Sequence, residues 1–534
     1  VSWTFRKAPK FFDIVTYTGN GTAGRTVSHN LGSVPGMIIV KSTSNAESWY
    51  VYHRGADATA PEDYFLELEK TAARTNAAYA WNDTAPTSTE FTVGAVNDTN
   101  QNGATFVAYL FAHNDGDGEF GPDSDQDIIK CGSYTTDGSA DATINLGWEP
   151  QWVLFRPYDD TSNWKIVDNM RGFVATAVSP TYNQQLAADT SGAEAANDNI
   201  QITSTGFDHV SGFASKNFIY IAIRRGPLAA PESATDVFAM DTGANSTPSF
   251  DAGFPIDASL VGRVDATDKW FFTPRLTGSN YLDTATTAAE ASSPAFGRWD
   301  YQTQYYGGNL PSTYQAWMWK RAPSYFDVVA YSGTGVARTI NHNLGAVPEM
   351  MWVKSRTNTR NWMVYHKDAN ANPESGHLRL DLSNTFSTGT TTWNNTQPTA
   401  SVFSVGTRNE TNNASETFIA YLFATVAGIS KVGSYTGDGT IDGSRVIDCG
   451  FSAGARFVLI KVATDANDWH LFDSTRGIVA GGNDPRLRIN STLAETTTVD
   501  FIDPDNSGFI VGVNNTSKNI SNVDGVTYIF YAIA

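Results

Sequence analysis

The sequence predicts an all-β chain, a tandem array of five related β-sandwich modules with immunoglobulin-like or jelly-roll connections. Three observations carry that expectation. Apolar runs are short, rich in β-branched and aromatic residues, and closed by Gly, Asn, Asp and Pro at intervals of about 8 to 12 residues, the spacing of strands and turns. Helical spacing is confined to residues 285–291. Large blocks also recur at fixed offsets, and 534 residues at roughly 100 to 200 per domain give about three to five domains.

The repeat sets the boundaries in chain order. Residues 1–9 are an orphan terminal strand: residues 3–9 read WTFRKAP, and residues 317–323 read WMWKRAP, 314 positions later. With no module of its own before it, this strand predicts a fragment of a longer array, and pairing with a sheet edge in a neighbouring module or in another copy of the chain. A first module, 10–114, has strand-like runs at 37–40, 49–53, 64–68, 90–93 and 106–112, and an HNLG turn from His29. A second, 127–226, shares its grammar at an offset of 115: an NLG turn, a Pro, an apolar run ending in a basic residue, and a Trp eight positions later. A divergent third, 232–323, retains Trp270 but has Gly262 where the basic residue would stand. Module 324–426 repeats the first, with FDVVAYSG, HNLGAVP and FIAYLFA, and module 429–534 repeats the second, with VGSYTGDG against CGSYTTDG.

Composition narrows the function. The formal net charge of −19 repels phosphate backbones and anionic lipid heads, so nucleic acid is excluded as an expected partner. No apolar stretch approaches the roughly 18 residues of a spanning helix, which argues against membrane insertion. Cys131 and Cys449 are too few for a disulfide scaffold or a thiolate metal site.

The repeated polar and aromatic residues read as structural. Trp49, Trp164, Trp270, Trp362 and Trp469 suit either a sugar-stacking platform or a core anchor, and their fixed distance from a strand favours the anchor. The basic residues eight positions earlier (Lys41, Arg156, Lys354 and Lys461) are expected at a sheet margin, their stems covering apolar surface. Asp168 with Arg171, and Asp473 with Arg476, are spaced for an ion pair across a tight turn. His29, His53, His342 and His366 lack a third ligand at diagnostic spacing and read as satisfied structural histidines. No nucleophile, carboxylate pair or phosphate-binding motif recurs, so no catalytic residue is assigned.

One acidic stretch escapes the repeat. Between Ala112 and Lys130 lie more residues than between Ala424 and Lys431, and the excess carries Asp115, Asp117, Glu119, Asp123 and Asp125. Closely spaced oxygens with interleaved Gly resemble a Ca²⁺ loop, with Asp115, Asp117 and Asp125 as candidate ligands; the full EF-hand spacing is missing, and a solvated linker is the competing reading.

The set formed by WxVYH, an LxL strand (Leu66 and Leu68; Leu378 and Leu380), Trp-Asn before Pro-Thr (Trp81 and Asn82; Trp393 and Asn394), AYLFA and KxGSYTGDG resembles repeated modules of large virion proteins of marine tailed bacteriophages. The resemblance covers the first two and last two modules and is weak over the third. It implies a non-enzymatic fibre or other structural protein at the virion surface, in an extracellular setting. Its implied partners are other virion proteins or copies of itself, with a host surface glycan as a further one. A tandem rod of sandwiches is compatible with that role. The competing class is a lectin, or accessory modules of an extracellular carbohydrate-active enzyme.

Overall fold

The computed structural model describes residues 2–175, 184–196, 199–293, 299, 302–306 and 308–534. Its regular structure is almost entirely antiparallel strand, so the chain is all-β. It divides into two compact units, Val1–Phe173 with Ser179–Leu228, and Val174–Val178 with Ala229–Ala534.

The first unit holds two six-stranded sheets. Across the first, the strands are Phe12–Thr18, Thr105–Ala112, Pro35–Ser42, Tyr50–His53, Tyr64–Glu67 and Thr75–Asn76. Across the second they are Ile129–Thr135, Asn217–Arg224, Pro150–Pro157, Lys165–Asp168, Gln184–Ala187 and Ala195–Ala196. The pattern is the same in both: the opening strand pairs with the closing one, which pairs with the long strand after the NLG turn. The strand skipped in each case joins a smaller sheet, Arg25–Ser28 with Glu90–Val93 and Ala142–Asn145 with Gly206–His209. Alternation along Thr105–Ala112 sends Phe106, Ala108 and Leu110 inward, where they share a core with Val27 and Phe91 of the smaller sheet.

The second unit repeats that order. One sheet runs Phe326–Ser332, Thr417–Phe423, Met350–Ser355, Met363–His366, Gly376–Arg379 and Ser387–Thr388; another runs Ser430–Thr436, Thr527–Ile533, Phe457–Val462, Trp469–Asp473 and Leu487–Arg488. A four-stranded sheet, Phe238–Thr242, Tyr314–Trp319, Ala258–Arg263 and Phe271–Pro274, keeps the opening, closing, long and following strands in the same sequence across the sheet.

The HNLG motif is explained by its turn. Gly32 and Gly345 take φ of 73° and 70°, the left-handed region open to glycine. The preceding backbone is held by side chains: Asp13 accepts from Asn30 N at 2.7 Å and His29 Nδ1 from Leu31 N at 3.2 Å.

Two expectations change. Residues 285–291 are not helical; they are turn and irregular backbone leading into the short strand Ala291–Ser292, which pairs with Asn280–Tyr281. Residues 2–9 join no sheet ladder and make only an isolated bridge, Ala8 to Phe12. Their duplicate, Tyr314–Trp319, lies between Phe238–Thr242 and Ala258–Arg263, and among the described residues no strand of the first unit takes either place.

Candidate functional site

The repeated tryptophans join one sheet system to the next. In the second unit Trp362, just before Met363–His366, donates its indole N–H to the Asp283 carbonyl at 3.0 Å. Trp270, just before Phe271–Pro274, donates to the Ser491 carbonyl at 3.0 Å. Trp469 donates to the Arg379 carbonyl at 2.9 Å. The donations close a cycle: the sheet system of 326–423 holds that of 238–319, which holds that of 430–533, which returns to the first. All three rings are buried. A buried indole needs an acceptor, so each ring is fully satisfied only when its neighbour is in place. These tryptophans therefore anchor interfaces rather than the core of a single sandwich, because the ring lies at the margin of its own sheet and its acceptor belongs to the next. Trp164 does the same in the first unit, donating to the Glu67 carbonyl at 2.9 Å.

The basic residues point the same way. Lys354 Nζ donates to the Thr287 carbonyl at 2.9 Å and to that of Arg360 at 2.8 Å. Lys461 Nζ reaches the Ser383 carbonyl at 3.3 Å, and the Arg156 guanidinium gathers the carbonyls of Lys70, Thr71 and Ala72 at 3.1, 3.0 and 2.7 Å. Burial holds Lys354 and Lys461 down at about 8 and Arg156 at about 10. They are thus buried cations in cradles of carbonyls, not snorkelling stems at a margin. Gly262 is the exception for a steric reason: a Cβ there would meet the Trp270 ring at 2.4 Å, so the indole occupies the space a long side chain would need.

The Asp–Arg pairs form as expected, each joined by a glutamate and a tryptophan. Arg476 Nε meets Asp473 Oδ2 at 2.7 Å, its Nη1 meets Glu495 at 3.0 Å, and Trp317 donates its indole N–H to Asp473 Oδ2 at 3.1 Å. The first unit reproduces this with Arg171, Asp168, Glu194 and Trp3 at 2.6, 2.7 and 3.1 Å. The Arg476 and Arg171 guanidinium groups lie 5.7 and 5.2 Å from the Trp317 and Trp3 ring centroids.

The histidines are structural donors. His53 Nε2 faces the Tyr220 carbonyl at 3.0 Å and His366 Nε2 that of Phe530 at 3.4 Å, again bridging two sheet systems. Their Nδ1 atoms accept from Gly55 N and Asp368 N, which fixes the neutral tautomer. Burial lowers both to about 3. Cys131 and Cys449 are free and buried.

The acidic insert is a surface loop at the junction of the two first-unit sheets. Asp115 is 81% exposed at its side chain and lies 3.7 Å from Lys130 Nζ, while Asp117 accepts from Asp115 N at 3.0 Å. Lys10 Nζ binds the Asp117 carbonyl and the Glu119 carboxylate. Asp127 takes the N–H groups of Gly116 and Gly118 at 2.9 Å each. Asp125 is exposed. Among the described residues no three His, Cys, Asp or Glu side chains converge on one point, so Asp115, Asp117 and Asp125 are not drawn into a shared cage. Asn114, which carries no charge, is the buried clamp of this junction: it binds the Lys10 carbonyl and the N–H of Ile128.

Sequence reasoning passed over one open cleft of about 730 Å³ in the second unit, lined by Lys367, Lys431, Asp438, Arg445 and Asp448. Charges of both signs line it, and Arg445 pairs with Asp438 at 2.7 Å. Lys431, Asp438, Arg445 and Asp448 lie close in sequence, but Lys367 joins them from about 65 positions earlier, so the cleft exists only in the folded chain. No helix among the described residues is long and apolar enough to cross a membrane.

Two stretches, residues 7–227 and 307–534, match one family, described as a domain of unknown function (DUF7483). No curated protein matches the chain.

Proposed function

The chain belongs to the DUF7483 family, and on that premise we propose that it is a non-enzymatic building block of a particle appendage, a fibre or related structural protein at the surface of a tailed-phage virion. Its partners are then copies of itself or other virion proteins, with host attachment as a further role. One observation supports this above the others: four of the five repeated tryptophans, three of the four cations before them and both bridging histidines are spent on fastening one β-sheet system to the next. A chain whose repeated residues are committed to assembly suits a load-bearing or spacing role. Immunogold labelling of purified virions with antibody to this chain tests it; decoration of an appendage is expected, and particles free of label and of its peptides by mass spectrometry would overturn the reading.

The charged cleft around Arg445 favours a second reading, a lectin-like site for an acidic or polar glycan. A glycan array read with the intact chain and with Arg445→Ala distinguishes the two: binding lost in the variant supports the lectin, and an array without signal leaves the structural role.

A further inference from the structure

The first unit has one corner open where the second has the same corner filled. In the second unit the sheet system of 238–319 covers one face of its neighbour: Phe272 lies 4.2 Å from Tyr421 between ring centroids, Trp362 and Lys354 bind the Asp283 and Thr287 carbonyls, and Arg356 pairs with Glu290 at 2.9 Å. The same system grips residues 489–495, through Thr284 on the Ile489 carbonyl, Trp270 on that of Ser491 and Asp268 N on that of Thr492.

The first unit carries both halves of that seat uncovered. Trp49, Lys41 and Tyr109 are half-buried where Trp362, Lys354 and Tyr421 are buried, and Ile14 is 40% exposed where Val328 is 0%. Lys41 keeps the bond within its own sheet system, to the Glu47 carbonyl, and among the described residues has no counterpart of the Thr287 acceptor. Residues 188–194 are equivalent to the gripped stretch, since Ala188 N donates to the Trp164 carbonyl as Ile489 N does to that of Trp469, and all but the half-buried Asp189 are exposed. Trp3 and Phe5 already occupy the positions of Trp317 and Trp319: Trp3 is bonded to Asp168, and Phe5 packs on Phe12, Phe111 and Trp152. Ser2 and Thr4, on the alternate side, are exposed where Ala316 and Met318 are buried in the core of the third system.

We infer that this corner is a docking surface for one kind of partner, a β-module of the 238–319 type that lacks its own closing strand and takes residues 2–9 as that strand. The docked module would supply Trp49 with a carbonyl acceptor, give Lys41 its second one, cover Ile14 and Tyr109, and grip residues 188–194. Among the described residues nothing pairs with either edge of residues 2–7, as a closing strand awaiting its two neighbours requires, and an extended segment offered in this way is completed by strand addition.

The test is a chain with a second copy of residues 229–314 joined ahead of residue 1, compared with the parent by amide hydrogen exchange. Exchange in peptides covering residues 2–7, 41–49 and 188–194 is expected to slow about tenfold or more, while the second unit stays unchanged. Protection of the added copy without protection of those peptides would overturn the proposal, as would a copy exchanging like a free peptide beside an intact parent. A second version carrying Thr43→Arg restores the partner that Glu290 of the copy has in Arg356, and protection is expected to deepen; equal exchange with and without that arginine, in a chain that also lacks the first effect, refutes the assignment.

Discussion

The faces built around Trp362 and Trp49 carry the same motif and differ in what covers them. Around Trp362 the indole, the lysine eight positions earlier and Tyr421 are sealed, and the two polar groups reach carbonyls of a different sheet system. Around Trp49 the ring stacks on Tyr109 with Lys41 above it, half in solvent. An interface motif is therefore worth what its partner makes of it: the same side chains contribute buried area and satisfied donors on one face and little on the other.

The largest expected effect follows directly. Trp362→Ala should destabilise the second unit by about 3 to 5 kcal/mol, the cost of emptying a buried aromatic site, while Trp49→Ala should cost no more than about 1 kcal/mol. Denaturant unfolding with probes in each unit measures both; equal losses would break the comparison. Close behind is the buried pair on the covered face. Arg356→Ala leaves the Glu290 carboxylate buried without its main cation and should cost about 3 to 5 kcal/mol, whereas Thr43→Ala, at the exposed equivalent position, should stay within about 0.5 kcal/mol.

Acid should act on both units alike, because the bridging histidine is buried in each. His53 and His366 are held at about 3 by burial, against about 6.5 in an unfolded chain. Between those values the unfolded chain binds more protons, so stability is full above about pH 6.5 and falls as pH drops toward 3, by up to a few kcal/mol per histidine. Melting scans from pH 7 to 4 on the parent and on His366→Gln sharpen the point: the variant should lose part of the slope in the second unit only. The smallest effect concerns the acidic insert. Removing residues 115–126 and joining Asn114 to Asp127 through a few Gly and Ser should change the stability of the first unit by less than about 1 kcal/mol, since Val426 to Ser430 makes the equivalent connection in the second unit without such a loop. Melting the parent with Ca²⁺ and with chelator decides whether Asp115, Asp117 and Asp125 gather a cation: coincident transitions would mark the loop as a spacer. A deletion that starts at Asn114 should be far more costly, because it removes the clamp on Lys10 and Ile128.

The sequence by itself determined the all-β class, the long repeat, the turn at HNLG and the Asp–Arg pairs, because each depends on side chains close in sequence: period-two alternation, a left-handed glycine, or a carboxylate three residues from a guanidinium. It also singled out the tryptophans and the cations before them. What only the tertiary structure decided is where those residues point. The acceptors for Trp270, Trp362, Trp469, Lys354 and Arg156 are backbone carbonyls of Ser491, Asp283, Arg379, Thr287 and Lys70 to Ala72, and every residue type carries the same carbonyl, so no spacing or composition marks them. The same holds for Trp49 and Trp362, identical in motif, one open and one sealed: burial is set by which sheet system lies across the face, a fact of packing that no local pattern encodes.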